Sequence, residues 1–240
     1  MSIEKQRRVS GGERGARHSG AFGIRQLAIG VLLFASGCAQ AEHTGSFFKR
    51  LGNRFTGKTP VAAVKKMEDP YFPDERVAGI NRLVAEDFGK KPPYTERYKQ
   101  IAVSDEDWLV RATAVRALNR ARDKSSTGVF IRALSDENAR VRLEGAKALA
   151  NVPDPAAVGI LIKAVNNADE DRDVRIAATQ ALKHYKTAEV ARVLVNTLQG
   201  RDFSIAWQAR RSLITMTGQD FRYDDGKWAE YLNGPGKPLG

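Results

Sequence analysis

The sequence predicts an all-α protein: an α-solenoid of about five stacked helix pairs, preceded by a signal peptide and a flexible tether. Three observations predict it. A nine-residue pattern recurs along the chain, further apolar-periodic segments lie between its copies, and alternating strand and helix patterns are missing throughout.

The repeat comes first, because self-similarity at a fixed period decides the architecture. Val110–Leu118 (VRATAVRAL), Val141–Leu149 (VRLEGAKAL) and Val174–Leu182 (VRIAATQAL) align without gaps, opening on Val-Arg and closing on Ala-Leu. A degenerate copy, Ile205–Leu213, follows them and a weaker one, Glu75–Leu83, precedes them, so the period is 31 to 35 residues. With the first residue of each copy as position 0, positions 0, +4, +7 and +8 are apolar or small. They are Val110, Ala114, Ala117 and Leu118, then Val141, Gly145, Ala148 and Leu149. That spacing is one face of a helix. Gly and Ala at +4 and +7 let a neighbouring helix approach closely.

The preceding segments, Tyr98-Ile101-Val103, Val129-Phe130-Ala133-Leu134, Val158-Leu161-Ile162-Val165 and Val190-Val193-Leu194-Leu198, are helical by the same criterion. Each unit is therefore an antiparallel helix pair. One pair cannot bury its own apolar faces, so the pairs must stack. Asp105, Asp136 and Asp169 each lie six residues before Arg111, Arg142 and Arg175. A turn Asp can cap the free amides of the second helix, and the Arg in that helix's first turn can pair with a turn Asp. These six residues are expected to form a structural Asp–Arg ladder that orders the stack.

The turn Asp, the Val-Arg pair and the Ala-Leu ending resemble HEAT repeats, particularly the short kind called PBS-lyase HEAT-like, over residues 60–217. The last copy departs from the pattern, with Ala206 in place of the Arg and Gly200 in place of the Asp. Residues 218–232, with Phe221, Tyr223 and Trp228, are expected to cap the last repeat. Residues 233–240 (NGPGKPLG) have the composition of a frayed tail.

The N-terminal quarter differs in kind. Lys5, Arg7, Arg8, Arg14, Arg17 and Arg25 precede a short apolar run, Leu27–Ala35, and then Ser36, Gly37 and the single Cys of the chain, Cys38. The run is too short to span a bilayer but suits the h-region of a secretory signal. Ala35-Ser36-Gly37-Cys38 resembles the lipobox of bacterial lipoproteins. The resemblance implies cleavage after Gly37, lipidation of Cys38 and a membrane anchor facing the periplasm. Ala39 in place of Asp implies the outer rather than the inner membrane. Residues 1–37 are thus expected to be the signal peptide and 38–59 the lipidated Cys and a basic tether.

Charge and composition exclude several functions. The net charge is +11, but residues 1–37 contribute +4, 38–59 contribute +3 and the repeats, 60–232, only +3. A folded nucleic-acid binder carries its basic footprint on the domain itself, so no nucleic acid is expected. One Cys rules out a multi-cysteine metal site, three His are too few for most histidine-built centres, and no metal or cofactor is expected. Gly52–Thr59 matches the P-loop pattern letter for letter. Phosphate binding requires a buried strand leading into the loop, but Lys49 and Arg50 break any such strand and Pro60 follows at once. No hydrophobic strand ending in Asp appears later to hold magnesium, so no nucleotide is expected.

HEAT-like families include phycobilin lyases and a di-iron hydroxylase built on paired His-Glu motifs. No His-Glu dipeptide occurs here, which sets the hydroxylase aside. No nucleophile–base arrangement is visible, and His184 stands alone. The sequence therefore favours a non-enzymatic, membrane-anchored scaffold that binds an envelope protein or surface polymer through the concave face of its solenoid. The alternative is a catalytic HEAT-like protein of the phycobilin-lyase type. The partner surface expected is the +6 column of the second helices, Arg116, Lys147, Gln180 and Arg211, with its charge unpaired. Trp207, at +2, is expected to be buried between repeats.

Overall fold

The structure, a computed structural model, describes residues 60–234. Gly37, Cys38, the signal and tether regions 1–59, the P-loop-like match and residues 235–240 lie outside the described residues. The described residues form eleven α-helices and three short 3₁₀ turns and contain no strand.

Five antiparallel pairs follow in chain order. They are α1 (Pro60–Met67) with α2 (Pro73–Val84), α3 (Tyr94–Ser104) with α4 (Trp108–Ala121), and α5 (Thr127–Ala133) with α6 (Ala139–Asn151). Then come α7 (Val158–Asn166) with α8 (Arg172–Leu182), and α9 (Ala188–Thr197) with α10 (Phe203–Thr217). A last helix, α11 (Asp225–Asn233), closes the described chain. The all-α solenoid expected from the repeat is the fold observed.

The small residues of the pattern sit where backbones meet. A Cβ on Gly79, at +4 of α2, would lie 2.3 Å from the Met67 amide nitrogen and 2.6 Å from the Ala63 carbonyl oxygen. One on Gly145, at +4 of α6, would lie 2.9 Å from the Phe130 carbonyl oxygen. Position +4 is therefore the contact within a pair. Position +7 looks the other way: Ser212 Oγ of α10 donates to the Thr179 carbonyl of α8 at 2.9 Å.

The second helices α2, α4, α6, α8 and α10 pack side by side in one continuous row, while the first helices touch one another only sparsely. Close packing on one side and splaying on the other bend the stack toward the second helices, whose outward side becomes the inner, concave face. Between the layers, Tyr98, Phe130, Leu161 and Leu194 meet Leu118, Leu149, Leu182 and Leu213 in one apolar core.

Helix starts follow local chemistry, two residues later than the sequence suggests. Asp107 caps α4, accepting from the amides of Leu109 and Val110. Asn138 caps α6, Asp171 caps α8 and Asp202 caps α10 in the same way. Each satisfies amides that a helix leaves free at its N-terminus. Asp105 and Asp136 are therefore not the caps. Their carboxylates instead accept from the amides of Asp107 and Asn138, fixing the turn that delivers the cap.

After α10 the chain turns at Gly218 in the left-handed conformation (φ 77°), and α11 packs on α9. Trp228 is fully buried, its ring edge-on to Phe221 at 5.0 Å, and its indole nitrogen donates to the Arg222 carbonyl at 3.1 Å.

Candidate functional site

Two rows of charged side chains run across the repeats, and they do different work. The first is the ladder. Arg111 reaches forward to the next repeat, donating from Nε and Nη2 to the two carboxylate oxygens of Asp136, each at 2.9 Å. Its Nη1 donates back to the carbonyls of Asp105 and Glu106 in its own turn, both at 3.0 Å. Arg142 repeats this geometry, with Glu170 ahead at 2.7 Å and the carbonyls of Asp136 and Glu137 behind at 2.9 Å. Each guanidinium thus locks its own turn and staples it to the next one. Planar, bidentate pairing of this kind is what Arg provides and Lys does not.

The structure corrects the expected partners. Asp136 belongs to Arg111, not to Arg142, and Asp105 belongs to Arg76, which donates to it twice at 2.9 Å. Arg76 escaped the sequence reading, although it occupies +1 of the weak copy Glu75–Leu83. The Asp169–Arg175 rung does not form. Asp169 makes no ion pair among the described residues, Glu170 takes its place toward Arg142, and Arg175 Nε donates to the Val165 carbonyl at 3.2 Å. The last rung moves to Arg172 and Asp202, at 2.5 Å, so Asp202 serves as both cap and ladder acid. This accounts for Ala206 and Gly200: the pattern's Arg and Asp positions are free to change once neighbours carry the pairing.

The second row is the +6 column on the inner face. Arg116 is half-buried, and Lys147, Gln180 and Arg211 are exposed. The charges are not unpaired as expected, because Glu144, at +3 of α6, meets Arg116 at 3.6 Å and Lys147 at 3.5 Å. One carboxylate is thus shared by two cations, and the row keeps an excess of positive charge. Arg211 lies over the ring of Trp207, 4.9 Å from its centroid. Trp207 is 41% exposed, contrary to its expected burial, because no further second helix packs against α10 among the described residues. His184 is tied to the structure: its Nε2–H donates to the Ala150 carbonyl at 2.8 Å.

Other surface features are shallow. The open cleft lined by Arg122, Lys124, Val152 and Pro153, about 600 Å³, joins two inter-repeat loops. No group of His, Cys, Asp and Glu suited to a metal occurs among the described residues, and none of their helices is long and apolar enough to cross a membrane.

A stack of helix pairs with small residues at the contacts and a forward-reaching Arg in four of the five second helices is the architecture of a HEAT-type solenoid. The family model for HEAT repeats matches residues 95–183, which span the second, third and fourth pairs, so the chain carries HEAT repeats. No curated protein matches the chain in sequence. Among solved structures, the chain is similar to the complex of CpcE and CpcF of phycocyanin lyase from Nostoc sp. PCC7120. The two are 17% identical, with a TM-score of 0.60, over 74% of this chain and 70% of that chain. Human deoxyhypusine hydroxylase in complex with glycerol is also matched, 17% identical over 67% of this chain and 62% of that chain, with a TM-score of 0.48.

The first of these likenesses corrects the functional expectation. The sequence favoured a non-enzymatic envelope scaffold, yet the solenoid has its structural counterpart in a lyase complex, in keeping with the phycobilin-lyase alternative. That likeness is one of fold, and a HEAT solenoid can host a reaction without displaying any recognisable catalytic motif.

Proposed function

We propose that the chain is a HEAT-like protein of the phycobilin-lyase type, holding an open-chain tetrapyrrole against the inner face of its second helices. The observation that carries this reading is the +6 column. Arg116 and Lys147 share the one carboxylate of Glu144, and Arg211 adds a further cation along the same face. Cations at fixed spacing on a row of rigid helices suit the carboxylates of a flat, conjugated ligand. The shared fold with the phycocyanin lyase complex supports the same class.

The contribution to the reaction is binding and orientation, which alone can lower a barrier substantially. Among the described residues the inner face offers no nucleophile–base pair, and the His184 ring is held by a backbone carbonyl. Titration of the full chain with biliverdin, followed by its visible absorbance, tests the reading. Saturable binding is expected, weakened at least tenfold in the Arg116→Glu/Lys147→Glu double variant. No binding, or equal binding by that variant, would remove the tetrapyrrole from the inner face.

The N-terminal reading stands as a second proposal, supported by the lipobox-like residues alone. Residues 1–37 are removed and Cys38 is lipidated, anchoring the solenoid at the periplasmic side of the outer membrane. Mass spectrometry of the processed chain should find a diacylglyceryl group on an N-terminal Cys38. A Cys38→Ser chain that is processed and membrane-bound as before would refute it.

A further inference from the structure

The two ends of the solenoid are finished differently. Position +7 of α2 is Arg82, where α4, α6, α8 and α10 carry Ala117, Ala148, Ala181 and Ser212. That column faces the preceding second helix, and a long cation there keeps another helix from reaching the separation that small residues allow. The first repeat is closed to further stacking. At the other end, α11 covers α9, and the segment before it lays Tyr223 against Phe203 and Arg210, with ring centroids 5.9 Å apart and the guanidinium 5.5 Å from the Tyr223 ring. The rest of the far flank of α10, around Trp207, stays uncovered among the described residues.

That flank is unusually apolar for a solenoid terminus, which ordinarily presents a polar outer face. Where another second helix follows, the +2 residues Ala112 and Leu143 are 1% and 6% exposed, and Val77 and Ile176 are half-buried. In α10 the matching residue is Trp207, and Phe203, one turn earlier on the same face, is 68% exposed. Ile214 continues the stripe and is only half-buried. Arg210 is tied to Asp220, whereas Arg211 has no carboxylate partner among the described residues and lies over Trp207. Exposed aromatic rings beside an uncompensated Arg are the side chains that anchor interfaces.

We propose that the open flank of α10 docks an acidic, amphipathic helix of a partner protein, lying where the second helix of a sixth repeat would lie. The row α2–α10 fixes both the kind of element and its direction, because the flank continues the packing that joins α8 to α10. The partner helix must carry small residues on its contact face, as α10 does toward α8, and carboxylates toward Arg211. A second copy of this chain fits poorly. Arg82 bars its first repeat, and two α10 flanks face to face would bring together the Arg211 guanidinium groups of both copies, with no carboxylate to meet them.

The test uses the full chain and a fluorescein-labelled synthetic helix with Ala at i, i+4 and i+7 on one face and Glu on the others. A counterpart with every Glu replaced by Lys is the control. Fluorescence anisotropy should show saturable binding of the acidic helix that weakens with salt and is at least tenfold tighter than that of the Lys helix. Trp207→Ala should weaken it at least tenfold, and Arg211→Glu should reverse the preference between the two peptides. Arg116→Glu/Lys147→Glu should leave it unchanged, which separates this surface from the inner face. Absence of saturable binding, equal binding of the two peptides, or indifference to both α10 variants would overturn the proposal. So would a dimer seen by light scattering that Trp207→Ala dissociates, since the flank would then belong to a second copy.

Discussion

Removing Arg111 is the sharpest test of what holds the repeats in register. Its guanidinium is 9% exposed and Asp136 is 14% exposed, so water does little to replace either partner. Arg111→Ala would delete five side-chain hydrogen bonds to Asp136, Glu137 and the carbonyls of Asp105 and Glu106. It would also leave the Asp136 carboxylate with only the Asn138 amide as donor. Breaking one side of a largely buried, hydrogen-bonded pair costs about 3 kcal/mol. With a urea dependence of about 2 kcal/mol per molar, the midpoint should fall by about 1.5 M. Urea unfolding followed by circular dichroism measures this. Lys147→Ala, whose ammonium is half-exposed at 3.5 Å from Glu144, should cost less than about 0.5 kcal/mol. A double-mutant cycle then tests the pairing itself: Arg111 and Asp136 should couple by about 2 kcal/mol, and Arg142 and Asp136 by much less. Equal midpoint shifts for Arg111→Ala and Lys147→Ala, or stronger coupling of Asp136 to Arg142, would refute the reasoning.

Three further outcomes follow from the packing. The hydroxyl of Tyr98 is buried without a hydrogen-bond partner, and burial pushes its pKa up, so Tyr98→Phe should stabilise the chain by about 1 kcal/mol in the same urea assay. Gly79→Ala would drive a Cβ against the backbone of α1 and should cost more than about 2 kcal/mol, whereas Gly128→Ala meets nothing within 4 Å and should gain about 0.5 kcal/mol. Hydrogen bonding to Arg210 holds the Asp220 carboxyl down to about 2, below its unfolded value, so its contribution is complete above the unfolded pKa and lost as pH falls from about 4 toward 2. Melting temperatures of the parent and of Asp220→Asn should therefore differ at neutral pH and converge at the acid end.

What the sequence determined by itself was everything set by short-range periodicity. Apolar residues at 0, +4, +7 and +8 force a helix with one buried face, and a face too wide for one partner forces stacking. The small residues at +4 and +7 announced close contacts, and Gly79 and Gly145 are found against backbone where Ala or larger would collide. The inner column was legible for the same reason, since Arg116, Lys147, Gln180 and Arg211 fall opposite the buried stripe. Tertiary structure decided which groups meet across repeats. Arg111 and Asp136 are 25 residues apart, and nothing local distinguishes that pairing from the six-residue spacing within a turn. Only the offset between stacked helices selects the forward partner, exchanges Asp169 for Glu170 and moves the last rung to Arg172 and Asp202. The exposure of Trp207 is of the same kind: at +2, Ala112 and Leu143 are buried and Val77 and Ile176 half-buried against a following second helix, and α10 is the last of the described row.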